Sequence, residues 1–375
     1  MAGGAFLQRA PLLGPDGRHA GHFLSIAHPG DAAACQPLFP ALAGADTAGP
    51  ILWLDGDGAC PDLEVSPWPS RLGLVLDAGD HAGRDAQRRR GAPLCLRHRD
   101  HAAAAGDPDA DAWQWLAAAD LAGARMPSAS RRIIVAGIAT REQFEASRRC
   151  PGVHGLLGDW YLAPSTGRPA SVTPGQSTVL ELMDLANREA PAARMERALR
   201  RDATLSFRLL RYINSAGFGL SCEIQSLGHA VAILGYRNLS RWLALLLAGT
   251  GPDATAPALV REAAVRGRLA ELLGEAFLGP EEQDSLFITG VFSVLPCILQ
   301  APMSVLLAQL SLPGHVTDAL TDRSGLHGPL LSLAEGVEAP NAARLDAAAA
   351  ALGLSATLVN RLHVEALLWA EKLAA

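Results

Sequence analysis

The sequence has few cysteines and lacks any long apolar run. Its six cysteines are widely separated, and they form neither a Cys-x-x-Cys pair nor a Cys/His cluster with the spacing of a zinc site. We therefore expect reduced, mostly buried thiols in a cytoplasmic protein. The longest apolar runs, such as 243–249, fall far short of the roughly 20 residues that span a bilayer. The first residues lack a positive segment followed by an apolar core, so no membrane association is expected.

An excess of positive charge is also absent. The net charge is −6, and Lys372 is the only lysine among 32 basic residues. This balance does not favour a nucleic-acid partner or an acidic membrane surface. What the chain does have is length. Its 375 residues, 49% of them hydrophobic and 19% charged, are enough for two domains with separate cores.

The pattern of the chain changes near residue 165. Before this point, short apolar runs bounded by Gly, Pro and Asp predict buried parallel strands alternating with helices. The runs are 21–26, 51–54, 72–77, 92–96 and 131–138, and helices are predicted at 111–122 and 140–149. Residues 166–175 are a linker by composition. Helical periodicity dominates afterwards, so the predicted fold class is α/β for 1–165 plus all-α for 176–375.

Two predicted helix boundaries lie in the second half. Ser226 is a suitable N-cap, and Gly235 is a suitable C-terminal cap, for the helix between them. An earlier helix runs into the segment NSAGFG, residues 214–219, which allows two interpretations. Asn and Gly tolerate the left-handed conformation that ends a helix, and Phe218 would then anchor the following loop. Alternatively, Asn214 and Ser215 line a cleft as hydrogen-bonding groups, and both interpretations can hold together.

The spacing around this segment resembles the HDOD domain, the HD-related output domain of bacterial signalling proteins. The resemblance implies an all-helical bundle related to HD phosphohydrolases but without their metal site. The sequence agrees with that loss, because it contains no His-Asp dipeptide and the histidines of this half are far apart in the sequence. The matching residues include Asp202, Leu205, Leu209, Arg211, Asn214, Ser215, Phe218, Gly219, Ser226, Gly235, Phe287, Gly290, Pro302, His327 and Gly328.

The first half resembles the EAL domain, a TIM-barrel phosphodiesterase that cleaves cyclic di-GMP. Three segments match in the right order: 9–24, 136–144 and 157–164. The resemblance implies an N-terminal, degenerate EAL-like TIM barrel that precedes the all-helical HDOD bundle. Because about 165 residues are few for a barrel that usually needs 200 to 250, we expect it to be incomplete or distorted.

The resemblance places the EAL family's functional positions on residues that cannot hold cations. Hydrolysis by that family needs several carboxylates around two divalent metals. We therefore predict no catalytic residue, no metal site and no cofactor. In the nearby segment RHRDH, 97–101, strand alternation would separate the two histidines, so a solvated loop or a strand end is expected there. The degenerate former catalytic positions are Phe23, Arg97, His98, Gly123, Ala136, Ala139 and Leu157.

These observations predict a non-catalytic bacterial signal-transduction protein, not an enzyme, that acts through protein–protein contacts of its HDOD domain. The alternative is a sensor that binds cyclic di-GMP without hydrolysing it, with Arg97 and Arg99 meeting the phosphates. A residual phosphodiesterase lacks metal ligands, and nucleic-acid binding lacks an aromatic platform. The sequence identifies neither the signalling partner nor the oligomeric state. The predicted interaction surface or cleft comprises Arg208, Arg211, Asn214, Ser215, Phe218, Arg237 and Arg241.

Overall fold

The chain divides into two compact units in a computed structural model. One unit combines Met1–Ala163 with Ser332–Ala375, and the other is Pro164–Leu331. Among the described helices, none combines the length and apolar character needed to cross a bilayer. The residues that the structure describes are 5–27, 51–55, 72–90, 93–98, 112–121, 132–162, 174–213, 224, 226–249, 255–299, 301–308, 312–338 and 342–374.

The first unit contains a closed barrel of eight strands in sequential order. Strand β1 is antiparallel to its neighbours β2 and β8, and the other neighbouring pairs are parallel. The strands are β1 (Phe6–Leu13), β2 (His19–Ala27), β3 (Ile51–Asp55), β4 (Leu72–Asp77), β5 (Leu94–Arg97), β6 (Trp113–Ala117), β7 (Ile133–Ile138) and β8 (Val153–Gly158).

The prediction of an incomplete barrel is wrong for the sheet, because the sheet closes between β1 and β8. That closure uses the single residue pair Leu13↔Leu156. The length argument failed because it counted only 1–165, whereas 332–375 also packs with this unit. The unit therefore reaches roughly 200 residues, the lower end of the usual range for barrels.

Aromatic side chains fill the barrel interior. Trp53 and Trp113 pack edge to face, with ring centroids 5.2 Å apart, in a cluster that includes Val75 and Cys95. Burial raises the pKa of the Cys95 thiol, which suits an inert core residue. The helix predicted over 111–122 is wrong, because Trp113–Ala117 is a strand and only a short 3₁₀ turn follows. Barrel packing overrides the helical propensity of this alanine-rich segment.

The five strands predicted in the first half are confirmed, and helices lie between some of the strands. The predicted helix 140–149 begins after Thr140, whose hydroxyl accepts a hydrogen bond from the Gln143 amide in a capping box. The described α-helices are α1 (His81–Arg90), α2 (Arg141–Ser147), α3 (Pro174–Asn187), α4 (Ala192–Leu199), α5 (Ala203–Ile213), α6 (Leu227–Ala248), α7 (Ala256–Gly274), α8 (Pro280–Phe292), α9 (Leu295–Leu299), α10 (Met303–Leu307), α11 (Gly314–Asp322), α12 (Gly328–Gly336), α13 (Ala342–Ala351) and α14 (Ala356–Ala374).

Helix α14 covers the edge of β1 that β8 leaves largely unpaired. Asn360 accepts a hydrogen bond from the Leu7 amide at 2.8 Å and donates one to the Ala5 carbonyl at 2.7 Å. His363 Nδ1 lies 3.1 Å from the Leu7 carbonyl. These side chains satisfy an exposed strand edge, which would otherwise pair with other chains. The predicted domain 176–375 therefore needs correction, since its last part belongs with the barrel.

The second unit is helical, as predicted. Ser226 caps α6 by accepting a hydrogen bond from the His229 amide at 3.2 Å. Gly235 interrupts this helix with a φ of 71° and a ψ of 163°, a conformation that L-residues rarely adopt. The predicted cap and helix end are both confirmed, although helical structure resumes directly after Gly235.

Candidate functional site

A cavity of about 380 Å³ opens at the end of the barrel where the parallel strands finish. Its lining includes Ala136 at the end of β7 and Leu157 at the end of β8. Residues from the first half of β1 also line it, because β1 runs in the opposite direction. Enzymes built on parallel barrels carry their active sites at this end of the strands. The cavity is therefore the candidate functional site of this unit.

Two aromatic rings form one wall of the cavity. Phe23 and Trp115 both line it, and their ring centroids lie 4.9 Å apart. The Arg97 guanidinium lies 5.3 Å from the centroid of the Trp115 ring. The same guanidinium pairs with the Asp55 carboxylate at 3.2 Å. Arg97 is the last residue of β5, and Asp55 is the last residue of β3. The ends of these two strands therefore place the Arg97 guanidinium beside the aromatic wall.

A buried ion pair forms another part of the lining. Arg9 and Glu338 are joined at 3.3 Å, and the exposed fractions of their side chains are 0% and 7%. Because both charges are removed from water, neither can be lost alone without a large desolvation penalty. The Glu338 carboxylate therefore enters the cavity lining already neutralised by Arg9.

The structure brings together three of the positions that the EAL resemblance predicts to be former catalytic positions. Phe23, Ala136 and Leu157 line the cavity and also pack with the aromatic core of the barrel. His98 is half-buried just after β5, and Ala139 is exposed after β7. Gly123 lies outside the described residues. Apolar packing has thus taken the places where the EAL resemblance expects cation ligands.

The residues at this end of the barrel do not fit a centre of two divalent metals. Among the described residues, one group of at least three His, Cys, Asp or Glu side chains converges, and it contains no cavity-lining residue. The carboxylates Asp55 and Glu338 are each paired with an arginine instead. No step of hydrolysis is therefore assigned to these residues.

In the helical unit, two predicted surface arginines meet at one acidic cluster. Arg241 bonds to Glu271 at 2.7 Å and to Asp284 at 3.1 Å, and its guanidinium lies 4.1 Å from the centroid of the Phe287 ring. Arg237 pairs with Asp284 from the other side and lines a cavity of about 540 Å³. Arg241 is therefore a structural residue that joins three helices, whereas Arg237 is exposed.

The remaining predicted surface residues are only partly described. Arg208 is exposed on α5. Arg211 lies on the same helix, but its side chain is outside the description. Asn214, Ser215 and Phe218 lie outside the described residues, so their proposed cleft stays a prediction. Next to them, Tyr212 stacks on Trp242 at 5.9 Å, and burial raises the pKa of its hydroxyl while Arg241 opposes that rise.

Sequence reasoning missed several residues of the barrel cavity. Trp115 was assigned to a helix. Residues two apart on a strand lie on the same face, so the spacing of Trp113 and Trp115 could have placed both indoles together. Tyr161 and Asp159, directly after β8, also line the cavity. Glu338 comes from the far end of the sequence, so no local pattern could have placed it there.

Comparison with known proteins gives two curated relatives. The chain is 26% identical over 242 residues to "Cyclic di-GMP phosphodiesterase CdgJ" of Vibrio cholerae, which covers 64% of this chain and 56% of that protein. It is 26% identical over 166 residues to "Uncharacterized protein YuxH" of Bacillus subtilis, covering 43% and 40%. The chain thus spans about half the length of these relatives. No solved structure matches.

The name of the first relative contradicts the prediction of a non-catalytic protein. CdgJ is named as a phosphodiesterase, so the similarity points towards an enzymatic role. The loss of aligned metal ligands in one domain does not determine the function of the whole chain. A barrel can support several kinds of chemistry, so a domain without these metal ligands can still be catalytic.

The model of one domain family matches the helical unit. The HDOD domain matches residues 174–293, which run from the start of α3 to the residue after α8. The match contains the first part of the recognised pattern, including the two helix caps at Ser226 and Gly235, whereas Pro302, His327 and Gly328 lie beyond it. Residues 174–293 of this chain thus match the HDOD domain, and an eight-stranded barrel precedes them in the sequence.

Proposed function

We propose that this protein acts on cyclic di-GMP in the bacterial cytoplasm, and that the barrel-end cavity is its binding site. In this proposal, the barrel is an EAL-like domain whose ligand positions have changed. The observation that carries it is the aromatic wall of Phe23 and Trp115 beside Arg97, at the end of the barrel where active sites form. The name of the relative CdgJ supports the choice of ligand.

The aromatic wall suits a nucleobase. Stacking of a base on an aromatic side chain contributes about 1–3 kcal/mol per base and does not require a hydrogen-bonding code. The cavity volume of about 380 Å³ lies within the usual range for ligand sites. A guanine of the dinucleotide would lie against Trp115.

The charges near the wall suit a phosphodiester. Arg97 presents a planar guanidinium, which can bond to two phosphate oxygens at once. One Arg97 nitrogen, Nη2, bonds to Asp55, so a bound phosphate would compete with this carboxylate for the guanidinium. Glu338, which would otherwise repel the ligand, is neutralised by Arg9.

Calorimetric titration of the full chain with cyclic di-GMP tests this proposal. We expect saturable binding, and we expect Trp115→Ala to weaken it about 5- to 150-fold through the loss of stacking. Arg97→Gln should weaken it as well. Arg88→Gln is the matched control, because the Arg88 side chain is half exposed on α1 and pairs with Asp85. Circular dichroism would establish that each variant is folded.

Turnover is measured in the same mixtures, with Mg²⁺ or Mn²⁺ added and the linear dinucleotide quantified by chromatography. The name of the relative favours product formation. Binding that is lost in Trp115→Ala and Arg97→Gln, but retained in Arg88→Gln, would support the cavity as the site. A wild-type chain that does not bind cyclic di-GMP, or equal losses in all three variants, would overturn the proposal.

A further inference from the structure

A second polar cluster lies outside the cavity, at the start of β2. His19, His22 and Glu371 place one ligand atom each within 4.8 Å of one another. The imidazole rings of His19 and His22 have centroids 4.3 Å apart. The Nε2 atom of His22 lies 3.2 Å from a carboxylate oxygen of Glu371. Two strand residues and one helix residue thus converge on a single point.

A bulge in β2 makes this convergence possible. Leu12 pairs with Gly21, whereas Leu13 pairs with His19, so Ala20 is an extra residue in the strand. Residues three apart on a regular strand point to opposite faces. The inserted residue shifts the alternation by one position, and His19 and His22 consequently share a face.

Residues of α14 that precede Glu371 fix the helix against the barrel. Asn360 and His363 bond to the backbone of β1 at one end of this helix. Positions 363, 367 and 371 are four residues apart and follow one face of the helix. The side chain of His22 is fully buried and that of Glu371 is 21% exposed. The cluster is therefore held by the fold on one side and accessible on the other.

We propose that His19, His22 and Glu371 bind a zinc ion that joins α14 to β2. Two imidazoles and a carboxylate are ligands that Zn²⁺ accepts. Ligand atoms about 2.0–2.2 Å from a tetrahedral zinc lie about 3.3 Å apart, and the His22 and Glu371 atoms are 3.2 Å apart. Three protein ligands leave a fourth position for water. This site is independent of the proposed cyclic di-GMP site, which lies at the other end of β2.

Zinc binding to the metal-free chain of 375 residues tests this inference. We expect one Zn²⁺ per chain by calorimetry, a raised melting temperature in the presence of Zn²⁺, and visible absorption bands of a tetrahedral site when Co²⁺ replaces it. Glu371→Gln and His19→Ala should each weaken Zn²⁺ binding by about tenfold or more. His81→Ala is the control, because His81 is an exposed histidine at the start of α1.

The outcomes separate a metal site from a hydrogen-bonded cluster. Affinity that falls in Glu371→Gln and His19→Ala, but not in His81→Ala, supports the site. A wild-type chain without saturable Zn²⁺ binding, or a Co²⁺ spectrum without tetrahedral bands, overturns it. The wild-type measurements decide the question even where a variant does not fold.

Discussion

At the scale of single residues, the barrel core depends on a glycine beside a tryptophan. Trp53 is completely buried. A β-carbon on Gly73 would lie 2.4 Å from the Trp53 ring, closer than real carbon contacts. The Trp53 indole thus occupies the space that a side chain at position 73 would need. Small residues of this kind allow a narrow barrel to hold several large rings.

Gly73→Ala should therefore destabilise the protein by about 1–3 kcal/mol, because the Trp53 ring has to move within a packed core. Urea denaturation followed by tryptophan fluorescence measures the change. Gly175→Ala is the control, since a β-carbon there meets nothing within 4 Å and helix α3 gains propensity. An unchanged free energy of unfolding in Gly73→Ala would show that the core has room for the displaced ring.

Histidine burial makes the stability depend on pH. Burial and the nearby Arg9 charge lower the pKa of His363 to about 3, although its bond to the Leu7 carbonyl opposes this. Its ordinary pKa is about 6.5, so the unfolded chain binds a proton more readily than the folded one. Burial also lowers the pKa of His327 to about 4. Both groups act in the same direction.

We expect the free energy of unfolding to fall as the pH decreases from about 6.5 towards 3. Between these pH values each histidine binds a proton in the unfolded chain but stays neutral in the folded chain. Added protons therefore favour the unfolded state. Thermal melts between pH 7.5 and 4.5 measure the effect. His363→Gln should reduce the pH dependence without abolishing it, since His327 remains. A wild-type stability that is constant over this interval would contradict the expectation.

At the scale of elements, the contact between α14 and β1 replaces a strand pairing. Asn360 satisfies a backbone donor and a backbone acceptor of β1 with one side chain. Arg9 adds a backbone bond to the Val337 carbonyl at 2.9 Å. An edge that β8 would otherwise have to cover is thus satisfied by 332–375.

Asn360→Ala should cost about 2–4 kcal/mol, because it leaves the Leu7 amide and the Ala5 carbonyl buried without their bonds. Chemical denaturation measures the loss. Arg361→Ala, at the exposed neighbouring position, should change stability by less than about 0.5 kcal/mol. Equal effects of the two substitutions would show that water readily replaces the Asn360 side chain.

Some strands and helices could be predicted from the sequence, and others could not. Apolar runs such as 72–77 and 131–138 were recognised as strands because buried parallel strands are continuously hydrophobic. The 111–122 segment was missed because alanine favours a helix locally while barrel packing decides otherwise. That Phe23 and Ala136 are changed catalytic positions stays a prediction from the resemblance. The Phe23–Trp115 wall and the bulge at Ala20 depend on pairing between strands. The pattern of one strand does not contain the identity or position of its partner, so these pairings could not be predicted.

At the scale of the whole molecule, residues 332–375 belong with the barrel although they are last in the sequence. A chain that ends after Leu331 would leave the β1 edge open. We expect this truncation to abolish the cooperative unfolding of the barrel and to promote aggregation through the exposed strand. Tryptophan fluorescence and light scattering during denaturation measure both effects. A truncated chain that stays monomeric and unfolds cooperatively at the wild-type midpoint would contradict this role.

The distribution of the barrel over both ends of the sequence has a consequence during synthesis. A ribosome delivers β1 before the HDOD-matching segment 174–293 and α14 after it. Domains generally fold as units while they are being made. The strands that leave the ribosome earliest must therefore wait longest for the helix that completes them. A chaperone that holds nascent β1 would be most useful to this protein in that interval.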